Sequence, residues 1–354
     1  MHERHTVMVT AAGTIVAQGI IKSLRLARSG QGSAAAYRIV ATDMSAQAAG
    51  LYRGDLGVVV PPASSDSYVD SIVRCCKRYG VDAVFCGSDE ELPVLEAAGK
   101  RIASEGGATL IANSAHVIKV GGDKWRTFEF LSRRGLGCAD SALPADWEKF
   151  VRKHGYPLVV KPRRGHGSLG FSIVTDSGDL LSAVERIRKA GWEPMLQEYL
   201  RDEEQEFTVG VTSDRECRTL SVIAMRRKLK AGQTAKAFVE EYPQVKKQAE
   251  QVASALASVG PLNVQARIEE GILKVFEVNP RFSASCPIRA VAGVNEPDIL
   301  FRNWVLGERP RRRRVKELVA LRYWNEVYVP RSEYEKTTRR GRTSGARSFV
   351  PDYF

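Results

Sequence analysis

The sequence lacks any apolar run that approaches the roughly 18 residues a membrane-spanning helix needs, and it begins without a signal-peptide pattern. Its six cysteines form no C-x-x-C pair, so neither a zinc cluster nor a disulfide framework is indicated. Cys286 could act as a nucleophile, but no base is spaced to activate it, and we expect a buried thiol. These absences favour a soluble, cytoplasmic protein with reduced thiols.

A dinucleotide-binding fingerprint is also absent. Gly13 and Gly19 follow the first predicted strand, and no G-x-G-x-x-G can be written there. Asp43 follows the second strand, where an acidic residue would hold a ribose in a dehydrogenase, although an aspartate at that place is also an ordinary helix cap. An oxidoreductase that binds nicotinamide is therefore an alternative, which the missing fingerprint opposes.

Motifs for DNA or RNA recognition are missing as well, although the net charge is +12. Much of the positive excess lies in two basic runs near the C-terminal end, at residues 311–314 and 339–342. A local run of this kind is more typical of a solvated tail than of a binding domain. We expect neither a nucleic-acid partner nor a membrane partner.

Periodicity indicates an α/β domain followed by an α+β part. From residue 6 to about 112, short apolar runs alternate with helical stretches, the pattern of a parallel sheet with crossover helices. A helical connector extends to about residue 155, and mixed strands and helices follow. The strands predicted for the first domain are Thr6–Thr10, Arg38–Ala41, Gly57–Val60, Ala83–Cys86 and Thr109–Ala112.

A glycine-rich loop follows the apolar strand Leu158–Lys161 and leads into a further strand. Glycines free the backbone N–H groups to surround phosphates, and Lys161 at the strand end supplies a positive charge for the same anion. Because the loop joins two strands and does not open a helix, it is not a Walker P-loop. An ordinary hairpin with a mobile tip is the alternative interpretation.

Residues 262–268 and 272–282 form a predicted hairpin around the turn at 269–271. A three-residue turn would place one polar face opposite one apolar face. The polar face would hold Asn263, Gln265, Arg267, Glu277 and Asn279 together with Val275, and the core face would hold Val264, Ile268, Phe276 and Val278.

The polar face of this hairpin is suited to magnesium, which prefers oxygen ligands and usually needs one or two carboxylates. Glu277, with Gln265 and Asn279, supplies such a set. Arg281 lies one strand period beyond Asn279, where a planar cation could stabilise a transferred phosphoryl group. A polar strand facing solvent is the alternative.

These motifs together resemble the ATP-grasp superfamily, in particular the branch similar to the large subunit of carbamoyl-phosphate synthetase and to amino-acid ligases. The resemblance covers nearly the whole chain. It implies a pre-ATP-grasp domain at 1–114, connector helices and a glycine-loop lobe at 115–200, a C-terminal lobe with the metal site at 201–325, and a basic tail at 326–354. It also implies ATP and Mg²⁺ as cofactors, with Mn²⁺ as a substitute ion.

The resemblance further implies individual roles. Lys161 and Arg281 would be catalytic, and Gln265, Glu277 and Asn279 would ligate the metal, although many relatives have an acid in place of Gln265. Arg227 and Lys228 are alternatives to Arg226 as a cation for the triphosphate. The residues expected to contact ATP are Lys124, Lys161, Gly165, His166, Gly167, Ser168, Gln197, Glu198, Tyr199, Leu200, Glu206 and Arg226.

The implied activity is an ADP-forming carboxylate–amine ligase that activates a carboxylate as an acyl phosphate. Its partners would be a small carboxylate and an amine, and a homodimer is compatible with the resemblance. The acids of the run Ser88-Asp89-Glu90-Glu91, just after the fourth strand, could hold an ammonium group, with Glu90 and Glu91 as the chosen residues, although a favourably charged helix start explains them nearly as well. Arg281 and Ser283 would complete the substrate pocket. Alternatives are a carbamoyl-phosphate or carboxyphosphate-forming enzyme and a regulatory protein that binds nucleotide without turnover.

Overall fold

The computed structural model describes residues 4–27, 37–165, 169–310, 314–323, 325–343 and 348–351. His166, Gly167 and Ser168, which were predicted to contact ATP, lie outside the described residues. Within the described ranges, no helix combines the length and the apolar character that crossing a bilayer requires.

The N-terminal domain is a five-stranded parallel sheet with the strand order β3-β2-β1-β4-β5. Each predicted strand is confirmed to within two residues, which follows from the near-continuous apolar runs that a sheet buried on both faces requires. The strands are β1 (His5–Val9), β2 (Tyr37–Asp43), β3 (Leu56–Val59), β4 (Ala83–Phe85) and β5 (Thr109–Ile111). The helices are α1 (Ile15–Leu26), α2 (Tyr68–Tyr79), α3 (Leu92–Ala97) and α4 (Gly99–Gly106).

The two faces of this sheet bury different helices. Alternate residues of β1 point to opposite sides, so that Val7 packs with α1 while Met8 packs with α2. The core on the α1 side continues into Phe282 and Phe301 of the C-terminal part of the chain. The N-terminal domain and the C-terminal part are therefore joined by a shared apolar core, which fixes the position of the carboxyl ends of the strands.

A connector of helices leads to a second, four-stranded antiparallel sheet with the order β6-β9-β7-β8. The helices are α5 (Ala115–Gly121), α6 (Lys124–Ser132) and α7 (Trp147–His154), and α8 (Ser177–Lys189) covers the sheet. The strands are β6 (Ser141–Ala142), β7 (Leu158–Pro162), β8 (Ser172–Val174) and β9 (Pro194–Glu198). The predicted strand before the glycine-rich loop and the strand after it are thus confirmed as neighbours.

The third sheet is antiparallel and has the order β14-β13-β10-β11-β12-β15. One face packs on α9, and the other meets α10. The strands are β10 (Glu206–Ser213), β11 (Thr219–Lys230), β12 (Gln233–Val239), β13 (Gly260–Glu269), β14 (Ile272–Asn279) and β15 (Leu318–Leu321). The helices are α9 (Pro243–Ala255), α10 (Cys286–Val291) and α11 (Glu296–Trp304).

The described part of the C-terminal segment packs on the N-terminal domain, while the basic side chains of Arg339, Arg340 and Arg342 stay exposed; residues 311–313 of the other basic run lie outside the described residues. The segment contains α12 (Arg331–Arg340), in which Thr337 has no exposed surface. After α12, the Val59 N–H donates to the Gly341 carbonyl at 2.7 Å, and the Thr343 N–H donates to the Gly57 carbonyl at 2.8 Å. Residues 341–343 therefore pair with the outer edge of β3.

Candidate functional site

The β13–β14 hairpin carries the predicted metal ligands on one face. Gln265 lies directly opposite Glu277, and Asn263 lies opposite Asn279. The register shifts just after Gln265, so Ala266 pairs with Val275 and one residue of β14 bulges. The three predicted ligands are consequently brought together on the same side of the sheet.

The same bulge corrects the predicted faces of β14. Val275 is buried in the core with Val278, whereas Phe276 is only partly buried and lies on the side of Lys161. The Lys161 ammonium is 5.8 Å from the centre of the Phe276 ring. The prediction that Phe276 faces the core and that Val275 faces the site is therefore wrong, because it assumed a strand without a bulge.

Lys161 projects from β7 into a buried position beside this hairpin. Only 7% of its surface is exposed, and its Nζ donates to Gln197 Oε1 at 2.7 Å. Lys124 begins α6, and its Nζ donates to the Gly165 carbonyl at the start of the glycine-rich loop at 2.8 Å. Burial, and then repulsion from Lys124, lowers the pKa of Lys161 to about 7, although Glu277 opposes this shift.

Glu277 carries the carboxylate of this site and is surrounded by cations. Burial alone would raise its pKa, but the charges of Lys124, Lys161, Arg281 and Arg227 together lower the pKa below the ordinary value. Glu277 is therefore ionised at neutral pH. Arg281 and Arg227 also pair with Asp89 and Glu206, so the four cations face three carboxylates, and the remaining positive charge on the side of the two lysines suits a polyanion.

The side-chain oxygens of Glu277, Asn279 and Gln265 are suited in part to binding a divalent cation. Among the described residues no hydrogen bond to the Glu277 side chain is found, and the Nδ2 atom of the buried Asn279 has no partner either. Gln265 Oε1 accepts from Arg227 Nη2 at 2.7 Å, which leaves its second lone pair. No group of three or more His, Cys, Asp or Glu suited to a metal occurs in the described ranges, as expected for a set with one carboxylate and two amides.

Arg281 ends the polar face and is held by an aspartate of the N-terminal domain. Its Nε and Nη2 donate to the two carboxylate oxygens of Asp89 at 2.8 and 2.9 Å, and Nη2 also donates to Asn279 Oδ1 at 3.1 Å. Burial lowers the pKa of Arg281, but Asp89 outweighs it and the net pKa is raised. Arg281 thus stays charged, in the fixed geometry that a bidentate pair imposes.

Within the run at 88–91, Asp89 is the acidic residue that pairs with Arg281. Glu91 is 8% exposed and precedes α3, and burial raises the pKa of its carboxyl group. Glu90 is exposed to solvent. The sequence signal for Asp89 is its position two residues closer to the carboxyl end of β4 than Glu91, since ligands bind outside these strand ends.

Glu206 is enclosed by two arginines of the same sheet face. Its Oε1 accepts from Arg227 Nε at 2.9 Å, and its Oε2 accepts from Arg267 Nη2 at 2.6 Å. Arg227 therefore connects Glu206 to Gln265 of the predicted metal set. The sequence left the choice among three basic residues of β11 open, and in the structure Arg227 is the one that contacts both Glu206 and Gln265.

Arg226, predicted to contact ATP, lies on the face of β11 opposite to the one that carries Arg227. Its guanidinium carbon is 4.3 Å from the centre of the Phe238 ring, and its Nη1 is 3.9 Å from Glu204. Lys228 also pairs with Glu204, at 2.7 Å. Neighbouring residues of a strand point to opposite faces, so Arg227 is the one directed into the site.

The segment after β9 links the two antiparallel sheets. Gln197 is buried between Lys161 and Ser141, and the Glu198 carboxylate accepts from Lys274 Nζ at 2.6 Å. The Leu200 carbonyl accepts from Arg267 Nη1 at 2.6 Å. The Tyr199 hydroxyl donates to Glu203 at 3.3 Å. The segment predicted to read the adenine thus borders the same polar face as Glu206.

The surroundings of Asp43 and Cys286 argue against the two alternative roles, a ribose-binding acid and a nucleophile. The Asp43 carboxylate accepts from the backbone N–H groups of Gly13 and Ser45 at 2.8 and 2.9 Å, which is a structural role. Cys286 has no exposed surface, and burial raises the pKa of its thiol well above the ordinary value. Ser283, predicted to contact substrate, is 7% exposed and accepts from the Ser285 N–H at 3.1 Å.

Comparison with known proteins gives matches over both parts of the chain. Residues 192–327 match a family model described as ATP-grasp in the biosynthetic pathway with Ter operon, and residues 15–111 match one described as PylC-like, N-terminal domain. The carbamoyl phosphate synthase large chain of Neisseria meningitidis serogroup B is 26% identical over 196 residues, 52% of this chain and 18% of that protein. The matched region is thus less than a fifth of that relative.

Solved structures share the fold over most of the chain. The biotin carboxylase domain of 2-oxoglutarate carboxylase from Hydrogenobacter thermophilus, a dimer complexed with MgADP, ADP and bicarbonate, aligns with a TM-score of 0.69 at 19% identity. This alignment covers 100% of the present chain and 81% of that chain. The L-amino acid ligase from Bacillus licheniformis aligns with a TM-score of 0.61 at 17% identity and covers 86% and 74% of the two chains. With its three sheets in this order and these matches, the chain has the ATP-grasp fold, and its residues 192–327 match an ATP-grasp family model.

Proposed function

We propose that the chain is an ADP-forming ligase that uses ATP and Mg²⁺ to activate a carboxylate as an acyl phosphate and couples it to an amine. The observation that carries the proposal is the cluster of Lys124, Lys161, Arg227 and Arg281 around Glu277, in which Arg227 and Arg281 also pair with Glu206 and Asp89 while Lys124 and Lys161 have no carboxylate of their own among the described residues. Such an excess of positive charge is suited to a triphosphate with its metal ion. The MgADP in the structural relative from Hydrogenobacter supports the choice of nucleotide.

Glu277 and Asn279 would hold the magnesium ion, with the remaining oxygen of Gln265 as a further ligand. The ion would supply charge neutralisation to the phosphate oxygens. The fit rests on the ionised Glu277 carboxylate and on Asn279 Oδ1, which accepts from Arg281 Nη2 at 3.1 Å and keeps a second lone pair. Because the set has one carboxylate, phosphate oxygens would complete the coordination.

In the first step, a carboxylate oxygen of the substrate attacks the γ-phosphorus, and the bond from that phosphorus to its bridging oxygen breaks with release of ADP. Lys161 and Arg281 would offset charge on the transferred group, since both are positioned before the reaction by hydrogen bonds. In the second step, the amine nitrogen attacks the acyl carbon and inorganic phosphate leaves. The amine loses its proton to solvent, so no catalytic triad is needed.

A second candidate is the formation of carboxyphosphate from bicarbonate. The 26% identity to carbamoyl phosphate synthase and the bicarbonate bound in the Hydrogenobacter structure favour it. The same residues would bind the phosphates of ATP, and the γ-phosphoryl group would be transferred to bicarbonate in place of an organic carboxylate. Bicarbonate-dependent ADP release in the absence of other carboxylates would select this candidate.

The test is a screen of amino acids and small carboxylates, with and without an added amine, for Mg²⁺-dependent ADP release and for product mass. We expect a carboxylate that stimulates ADP release and an adduct that has lost one water. Glu277→Gln should abolish the stimulation, whereas the exposed control Glu216→Gln should retain it. Nucleotide binding without ADP release from any carboxylate or bicarbonate would identify a regulatory protein instead.

A further inference from the structure

A second group of cations lies next to the phosphate-facing residues, on the side of the N-terminal domain. Ala284, in the loop after β14, packs directly on α1, since a Cβ atom on Gly19 would lie 3.1 Å from the Ala284 carbonyl oxygen. Lys22 is three residues further along α1 and projects from the same face of the helix. The packing therefore directs the Lys22 side chain towards this loop.

Arg322 reaches the same loop from the opposite direction. It follows β15, and its Nη2 donates to the Ala284 carbonyl at 2.5 Å while its Nη1 donates to the Thr234 carbonyl at 3.2 Å. Ser285, next in the loop, donates to the Thr234 hydroxyl at 3.4 Å. Two carbonyl groups thus fix the guanidinium, and the loop beneath it begins two residues after Arg281.

Neither cation has an acidic partner within the described part of the chain. No described residue forms an ion pair with Lys22 or Arg322, and both remain accessible to solvent. Partial burial, followed by repulsion from Arg322 and Arg53, lowers the pKa of Lys22, and partial burial followed by repulsion from Arg227 lowers the pKa of Arg322. An arrangement that brings cations together without an acid is unfavourable by itself, and a bound anion would relieve the repulsion.

We propose that Lys22 and Arg322 bind a second anionic group of the carboxylate substrate, so that the preferred substrate is a dicarboxylate or a phosphorylated carboxylate. The inference rests on the ligase reaction proposed above. The carboxylate to be activated has to lie near Glu277 and Arg281. The chain continues from Arg281 to Ala284 beside these residues, and a substrate that extends along the loop places its far end at the two cations.

The test measures binding separately from turnover. Calorimetry in the presence of MgADP compares three pairs that differ in one anionic group: L-glutamate with L-glutamine, succinate with succinamate, and O-phospho-L-serine with L-serine. We expect the charged member of at least one pair to bind about tenfold or more tightly than its neutral partner. The pair that shows the difference tells whether the second group is a carboxylate or a phosphate.

Variants assign the effect to the two cations. Arg322→Met and Lys22→Met should each weaken binding of the charged probe about fivefold, the upper end for a solvent-accessible ion pair, and Arg322→Lys should retain part of the affinity. The control Lys189→Met, on the exposed side of α8, should bind as the parent protein does. Unchanged MgADP binding in every variant shows that the fold is intact.

Equal binding of charged and neutral members in all three pairs would overturn the inference, even if ADP release is observed. Unchanged affinity in Arg322→Met and Lys22→Met would overturn it as well. Selective binding of a charged probe that depends on the two cations, without ADP release from any carboxylate, would uphold the anion site and refute the ligase reaction.

Discussion

Lys161 should take up a proton when nucleotide binds. Its side chain is 7% exposed, and burial together with Lys124 lowers its pKa to about 7. At pH 8, about one tenth of the Lys161 side chains would then be protonated before binding. Phosphate oxygens near the ammonium favour its charged form and return the pKa towards the ordinary value, so nearly all would be protonated in the complex. The expected uptake is about 0.9 proton per nucleotide at pH 8 and about 0.5 at pH 7.

The assay is titration of MgADP into the protein at pH 8 in buffers of different ionisation enthalpy, because the buffer dependence of the heat gives the number of protons. Lys161→Met should abolish the uptake, and the exposed control Lys77→Met should preserve it. By linkage, nucleotide affinity should weaken as pH rises above 7, where protonation of Lys161 becomes unfavourable. An uptake below about 0.3 proton at pH 8, or an equal uptake in Lys161→Met, would refute this account of the site.

Three further outcomes are expected. Glu277→Gln should reduce carboxylate-dependent ADP release about a hundredfold or more, since it removes the carboxylate that would hold the metal ion, and should also lower the thermal midpoint because the surrounding cations lose their counter-charge; unchanged turnover would exclude the role. Asp89→Asn should lower the free energy of unfolding in urea by about 1 kcal/mol, because its carboxylate is partly exposed, and should reduce kcat more than the KM for ATP through a mispositioned Arg281. Arg289→Met should cost about 3–5 kcal/mol in the same urea assay because it leaves buried Glu296 unpaired, and adding Glu296→Leu should recover part of that loss. An additive double variant would contradict the pairing.

The N-terminal sheet could be predicted because each strand is apolar on both faces and is bounded by turns or helices. The strands β12 and β15 were not predicted from the sequence. Residues 233–239 have only two buried apolar side chains, Ala237 and Val239, and β15 has four residues and a single partner. Their strand character comes from the neighbouring β11, which local sequence does not reveal.

The sequence identified most residues of the candidate site, but it did not predict how their side chains are oriented. Glu277, Gln265 and Asn279 lie together as expected, but whether Arg226 or Arg227 faces them depends on the register between β10 and β11. The bulge exchanges two apolar residues, Val275 and Phe276, which no hydropathy pattern distinguishes. The pairing of Arg281 with Asp89 joins residues 192 positions apart and requires the packing of two domains.

The strand-like pairing of residues 341–343 with β3 has a consequence for biosynthesis. The outer edge of the first sheet stays open until the segment nearly 300 residues downstream has been made. An open sheet edge is a template for intermolecular pairing. During translation the N-terminal domain should therefore be vulnerable to aggregation or to chaperone capture, and shortening the chain before α12 should prolong that state in the finished protein.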